Sequence, residues 1–377
     1  MSAVKKVAIV GSGVAGLAAG IQLAKAGVEV DLFEAKHELG IGGSGISLQG
    51  NALRVFDALG AWEDIRAAGY AFDGLNLRAP GPGATVVAAL PELKTGGADY
   101  PAGMGMPRRD LARILFAHAE KAGVHIRFGA HVTAIEQGDD DVDVIVDGES
   151  AGRYDLLIGA DGLNSTVREL IGIDTKPVST GMGIWRTFVS RPDEVVKSEL
   201  YYGGPAYIAG YTPTGEDSMY AFLVEKAQDR VGVSDEEATR IMRETSLGYG
   251  GPWDSIRADL EAGASVNYTW FTSHIVPAPW NRGRVVVIGD AAHSCPPTIA
   301  QGAAQGLEDA FVLAELLTTR EVIDQRLWDE FHARRIPRAT AVVEASTQLG
   351  QWQLDGNRDA DAGGLIFGIS QKMAEPA

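Results

Sequence analysis

The segment Val7–Gly20, VAIVGSGVAGLAAG, constrains the fold more than any other part of the chain. Val7–Val10 reads as a short buried strand, and Leu17–Lys25 opens a helix after a turn that carries Gly11, Gly13 and Gly16. A helix N-terminus presents unpaired N–H groups and the positive end of its dipole, so such a turn can cradle a pyrophosphate if no side chain stands in the way. Ala15, Ala18 and Ala19 keep that helix close to the sheet. A second strand, Val28–Phe33, ends at Glu34, where a carboxylate can accept hydrogen bonds from a ribose diol and disfavours a 2′-phosphate. Glycines in a strand-to-helix turn can be purely structural, but strand, helix and Glu34 together favour a dinucleotide.

Two further segments run an apolar strand into a Gly/Asp turn: DLLIGADGLNSTVR at Asp155–Arg168 and VVVIGDAAHSCPPTIAQGAAQGLEDA at Val285–Ala310. Three such turns spread along one chain suggest a single extended cofactor held at three separated places, and FAD fits that description.

Composition narrows the class. The 377 residues and 45% hydrophobic content suffice for two domains, or for one large domain with an inserted layer. A net charge of −17 makes nucleic acid and anionic membranes poor partners. The single cysteine, Cys295, excludes an intrachain disulfide framework and fits a reducing, cytoplasmic compartment. Neither a signal peptide nor a membrane span is expected before the first strand, and no Cys/His cluster has metal-ligand spacing.

The fold class expected is α/β, α+β overall: a Rossmann-like FAD-binding domain with an inserted, mainly antiparallel β-sheet substrate domain. The expected bounds are 1–72, 100–175 and 277–377 for the cofactor domain with its C-terminal helices, and 73–99 and 176–276 for the substrate layer. The Gly/Pro-rich stretch Ala79–Gly105 interrupts the α/β pattern, which resumes with an amphipathic helix at Arg108–Lys121. Val132–Gln137 and Val142–Val146 alternate like a hairpin around Gly138-Asp139-Asp140-Asp141, an acidic turn better read as solvated than as a cation site. From Lys176 to Pro277 come aromatic-bearing β segments, Gly183–Ser190, Tyr201–Thr212 and Ser218–Glu225, with a helix near Asp235–Leu247. The helix Gly302–Leu317 follows the third motif.

In this order and spacing the three motifs resemble the single-component FAD-dependent aromatic hydroxylases, the para-hydroxybenzoate hydroxylase-like group, and most of all its hydroxypyridine and hydroxynicotinate monooxygenase type. The resemblance covers nearly the whole chain. Pro107-Arg108-Arg109-Asp110-Leu111 matches a helix start that puts Arg108 against the FAD. Asp161 and Gly162 match a motif serving FAD and nicotinamide nucleotide, and Asp290 matches the acceptor for the ribityl chain. Pro297, Gly302 and Ala303 match the loop beside the isoalloxazine ring. With Gly11, Gly13, Ala15, Gly16 and Glu34 these complete the expected cofactor contacts, Pro297 being grouped with the catalytic positions. Each has a plainer alternative: Arg108 as a surface arginine, Asp161 or Ser165 as a helix cap, Asp290 as a turn residue, and His293 and Cys295 as packed loop side chains.

The resemblance further implies non-covalent FAD, NADH or NADPH as co-substrate, and hydroxylation by O2 of a small hydroxylated aromatic or N-heteroaromatic through a flavin C4a-hydroperoxide. Such chemistry needs a water-poor site and help in deprotonating a ring hydroxyl. Three residues of the inserted sheet are candidates. Arg186 lies in an apolar strand, where an unpaired cation is costly. Tyr220 matches a substrate-side tyrosine, and Tyr211 shares its face if the hairpin pairs as expected. Their plainer alternatives are an internal ion pair and core tyrosines. Ile208 stands where some relatives carry a second substrate arginine, and Ala303-Ala304 replaces a familiar asparagine, so the substrate is not legible. A flavin-dependent reductase or dehydrogenase without oxygen insertion, and a non-catalytic nucleotide-binding scaffold, remain alternatives, with the protein a monomer or homodimer.

Overall fold

The computed structural model describes residues 2–40, 44–230 and 232–377. The first motif's strand, Lys6–Val10, is fully apolar from Val7 onward and sits mid-sheet, flanked by Leu156–Gly159 on one side and Glu29–Glu34 on the other, both parallel to it. Val285–Val287 lies parallel beyond Leu156–Gly159, and His125–Phe128 beyond Glu29–Glu34. A short antiparallel strand, Asn281–Arg282, completes a six-stranded sheet among the described residues. Strands buried on both faces read as continuous apolar runs. The helix Val14–Lys25 packs against this layer, and Arg108–Ala122 and Gly302–Thr319 pack against that helix. The hairpin Val132–Gln137 and Val142–Val146, joined by the acidic turn, forms a small antiparallel sheet with Glu149–Tyr154.

A second, eight-stranded sheet runs in the order His293–Ser294, Val266–Ile275, Val178–Ser190, Ser218–Lys226, Ile208–Pro213, Ser198–Tyr202, Leu75–Arg78, Val86–Leu90. All its pairings are antiparallel except that of Ser198–Tyr202 with Leu75–Arg78. The architecture is thus α/β with an inserted, mainly antiparallel sheet. A small sheet of Gly45–Gln49, Gly103–Pro107 and Tyr70–Phe72 lies at the seam between the layers, where a Cβ on Gly105 would sit 2.1 Å from the Pro213 carbonyl oxygen.

Local chemistry departs from expectation in three places. Tyr201–Thr212 is two strands, because the Gly203-Gly204-Pro205 turn, with both glycines at positive φ, folds the segment back on itself. Trp253–Glu261 forms a second helix beside Asp235–Ser246, and the two cover one face of the eight-stranded sheet. Within Ala79–Gly105 the chain makes the strands Val86–Leu90 and Gly103–Pro107. The chain ends in the long helix Gln325–Leu354 and the helix Ala362–Ala374.

Candidate active site

Ligands of open parallel sheets bind beyond the carboxyl ends of the strands. Four adjacent parallel strands here deliver Gly11, Glu34, Asp161 and Asp290 to that edge. Packing explains two of the first motif's glycines: a Cβ on Gly11, at φ +102°, would lie 2.4 Å from the Ala160 carbonyl oxygen, and one on Gly16 would lie 2.0 Å from that of Gly11. Gly13 is different. It is exposed, it caps the Val14–Lys25 helix without a side-chain bond, and nothing lies within 3.9 Å of where its Cβ would be. Protein packing therefore leaves space at Gly13, and an approaching phosphate is the physical reason to keep it clear.

Glu34 accepts hydrogen bonds from the Ser12 backbone N–H (2.9 Å) and hydroxyl (2.6 Å) and from the Lys36 N–H (3.0 Å). Burial raises the carboxyl's pKa, yet these bonds outweigh it and hold the group below the ordinary value, so it stays an acceptor. Ala15 turns its methyl toward the third motif, 3.0 Å from where a Gly289 Cβ would stand. Asp161 accepts from the Val167 N–H at 3.0 Å and from the Ser165 hydroxyl, while Ser165 itself caps the Thr166–Leu170 helix through the Arg168 N–H. Burial nevertheless raises the Asp161 carboxyl. Gly162, at φ +79°, has open space around it.

Asp290 is exposed, just beyond the end of the Val285–Val287 strand. Desolvation pushes its carboxyl up, against His293 and Arg108. Arg108 starts its helix with an exposed side chain whose Nε makes a long bond, 3.5 Å, to the Gly45 carbonyl oxygen. Pro297, exposed, lies in a short 3-10 turn that Thr298 ties to the Ser346 carbonyl oxygen, and Gly302 and Ala303 open the Gly302–Thr319 helix.

The inserted sheet meets this cleft through Arg186 and Tyr220. Arg186 pairs in register with Phe222, and Phe188 with Tyr220, so Arg186 and Tyr220 share one face. The Tyr220 ring packs against Gly45, where a Cβ would come within 2.7 Å of it. Burial raises the Tyr220 hydroxyl, opposed first by Arg186 and then by Arg108. Arg186 donates to the Thr269 hydroxyl at 2.6 Å, but its buried Nε has no hydrogen-bond partner. An orphaned guanidinium N–H is costly unless something else bonds it.

Tyr211 does not join them. It pairs with Ala221, one residue out of phase with Tyr220, so it faces the opposite side. There it bonds Glu199 and Tyr201 and packs on Trp253, wholly buried. The expectation that it lines the substrate face is corrected.

Sequence patterns also missed the supports of the site. Buried Arg168 donates to the Leu163 and Ala291 carbonyl oxygens, each at 2.9 Å, and so ties the second motif to the third. Asp309 accepts from the Gly289 N–H (2.9 Å), from Arg335 (2.8 Å) and meets His293 at 2.6 Å. Burial notwithstanding, His293 and Arg335 hold its carboxyl at about 2. Glu308 joins Arg335, Arg338 and Asn51, and Asn51 also bonds Gln301. Adjacent acids on an otherwise apolar helix, together with arginines in the next one, were the available signal. Desolvation pushes the thiol of partly exposed Cys295 up to about 12, which disfavours its reactive thiolate. Among the described residues no group of three or more His, Cys, Asp or Glu could hold a metal ion, and no helix is long and apolar enough to cross a membrane.

A glycine turn kept clear at a helix N-terminus, with Glu34, Asp161 and Asp290 at the same sheet edge, marks a dinucleotide-binding protein. The family described as FAD binding domain matches residues 5–346, and the chain belongs to it. It is 32% identical over 362 residues to YetM of Bacillus subtilis (strain 168), named for FAD-dependent monooxygenase activity, covering 95% of this chain and 96% of that one. It is 29% identical over 365 residues to 3-hydroxybenzoate 6-hydroxylase of Klebsiella oxytoca, covering 93% and 89%. The structure of 2-methyl-3-hydroxypyridine-5-carboxylic acid oxygenase superposes with a TM-score of 0.81 at 25% identity, covering 98% of this chain and 96% of that one. The protein is an FAD-dependent monooxygenase.

Proposed function

We propose that this enzyme hydroxylates a small hydroxylated aromatic or N-heteroaromatic anion, using NAD(P)H and O2, with the substrate held between the cofactor cleft and the Arg186–Tyr220 face. The observation that carries this is the buried Arg186 Nε without a partner, beside Tyr220, on the face that also feels Arg108. The relatives named for hydroxybenzoate and hydroxypyridine-carboxylate oxidation act on compounds of this kind.

Gly13 and the Val14–Lys25 helix N-terminus would receive the pyrophosphate, Glu34 the ribose, and Asp290 and Arg108 the flavin end, with Gly302 and Ala303 beside it. Bound FAD supplies electron transfer from the nicotinamide and activation of oxygen. Arg186 binds the substrate's negative charge. Burial raises the Tyr220 hydroxyl, which favours the phenol form, and in that form it orients the substrate by hydrogen bonding. Two guanidinium groups nearby favour the substrate's aryl oxide over its phenol and so raise the ring's nucleophilicity. Cys295 and the net charge fit a cytoplasmic enzyme, acting as a monomer or homodimer.

The test is a panel of hydroxylated benzoates and hydroxypyridines, following NAD(P)H oxidation, hydrogen peroxide and product together. At least one compound should accelerate oxidation and emerge hydroxylated. With it, Arg186→Met should weaken binding by about 1.5–3 kcal/mol, roughly ten- to a hundredfold, because the bulk stays and the charge goes. Fast anaerobic oxidation with an artificial acceptor, and no hydroxylated product in air from any compound, would overturn the proposal in favour of a reductase.

A further inference from the structure

The cleft-side face of the inserted sheet does not end at Tyr220. Register carries it across neighbouring strands in rows: Phe188, Tyr220 and Thr212; Arg186, Phe222 and Gly210; Ile184, Val224 and Ile208. Ile208 pairs with Tyr202, Leu200 with Leu77, and Leu75 with Leu90. Moving outward, the polar groups give way to aliphatic and aromatic ones, and strands Ser198–Tyr202, Leu75–Arg78 and Val86–Leu90 carry no charge on this face. Their charged residues, Glu199 and Arg78, point the other way and pair with each other.

The two faces differ in cover as well as in polarity. On the far side Glu199, Tyr201 and Tyr211 are at most 2% exposed, whereas Tyr202 is 40% and Leu90 42% exposed on the cleft side, with Leu200, Ile208, Leu75 and Leu77 half-buried. Ile208 packs in a small cluster with Val224, Phe271 and Leu354, and beyond it part-exposed apolar side chains continue in strand register from the rows of Tyr220 and Arg186, so a ligand held at those rows can extend along them. Neighbouring strands are ~4.8 Å apart, so Leu200 stands roughly 10 Å from the Phe222 strand.

We infer that this wing, centred on Ile208, Leu200 and Leu77, binds an apolar substituent of the aromatic substrate, so that the enzyme selects amphiphilic hydroxyaromatics: a hydroxylated or anionic ring at Arg186 and Tyr220, and an alkyl or comparable arm lying across the strands. The inference rests on the assignment of Arg186 and Tyr220 to the substrate. It names Ile208 and Leu77 as specificity-determining residues on two different strands.

The probes are resorcinol with hexylresorcinol, and salicylate with hexylsalicylate, titrated into FAD-loaded enzyme while following the flavin absorbance, with NAD(P)H oxidation measured alongside. Each sheltered methylene strengthens binding by up to about fourfold, so the hexyl member of at least one pair should bind about tenfold or more tightly than its parent. Ile208→Ser and Leu77→Ser should each shrink that ratio severalfold, and Ile208→Val should largely retain it. Flavin content and thermal unfolding show that the variants are folded. Equal binding of parent and hexyl compounds, or a ratio untouched by both serine variants, would overturn the inference while leaving the substrate site intact. A dimer that dissociates in the serine variants, with no hexyl advantage, would assign the wing to a second copy of the chain and overturn it too. If none of the four compounds perturbs the flavin or stimulates oxidation, the Arg186–Tyr220 site itself fails, and the wing with it.

Discussion

The two faces of the inserted sheet are built from the same strands, yet they treat their charged groups differently. On the far face Glu199 accepts from Asn76 at 2.8 Å and from Arg78 and Tyr211, under helices Asp235–Ser246 and Trp253–Glu261, so this carboxylate's partners all come from the chain, while the neutral indole N–H groups of Trp185 and Trp253 there stay unbonded. On the cleft face Arg186 keeps an orphaned N–H, Tyr220 feels both Arg186 and Arg108, and Asp290 is exposed at the strand edge. A sheet can hold both because alternate residues look to opposite sides. The lesson is that burial of a polar group marks stability where its bonds close within the protein, and function where they do not.

That contrast predicts separable losses. The largest belongs to the cofactor cleft: Gly13→Val should yield protein without bound FAD, since valine enters space that the fold leaves clear, while thermal unfolding of the FAD-free forms stays the same. Wild-type flavin content in the purified variant would break the placement of the pyrophosphate.

On the far face, Glu199→Leu leaves the Arg78 cation without its partner and should cost about 3–5 kcal/mol of stability, read from urea unfolding, with flavin bound normally by the folded fraction. An unchanged midpoint would show that the far face is not closed in the way described.

The junction between the two layers carries a pH signature. His274 is buried, bonded to Ser294 at 2.8 Å beside Arg168, and desolvation, then Arg168 and His293, lower it to about 4. Between that value and the ~6.5 of an unfolded histidine, the unfolded chain binds the extra proton. Stability is therefore full above about pH 6.5 and falls as pH drops toward 4, by roughly 2–3 kcal/mol from this residue. His274→Asn should flatten that part of the profile, measured by denaturation midpoints across the window, and an unaltered slope would assign it elsewhere.

The smallest effects distinguish the two tyrosines. Tyr211→Phe removes a hydroxyl that bonds Glu199 and Tyr201, and should cost about 1–2 kcal/mol of stability with turnover preserved. Tyr220→Phe should leave the melting temperature nearly unchanged and instead lower hydroxylated product per NAD(P)H consumed. A matching pattern in the two variants would erase the distinction between the faces.

What the sequence by itself determined lies in the local turns. The run of apolar strand, Gly11, Gly13 and Gly16, then helix, with Glu34 after the next strand, is short-range chemistry, and so is the Gly138–Asp141 hairpin. The spacing of the three motifs likewise made a dinucleotide fold legible, because each strand-to-turn unit carries its own signal. Which side a strand residue faces is another matter. Tyr211 and Tyr220 look equivalent along the chain, but the hairpin sets Tyr211 against Ala221, and a phase of one residue sends it to the opposite layer. Arg168 and the Asp309–Arg335 pair became visible only once strands and helices far apart in the chain met, since no local pattern records a partner 26 positions away. The wing at Ile208 is likewise a product of tertiary structure: its apolar residues come from four strands, and the fold covers one side of them with two helices, while on the other Ile208 packs in a small cluster with Phe271 and Leu354 and the side chains beyond it stay part-exposed.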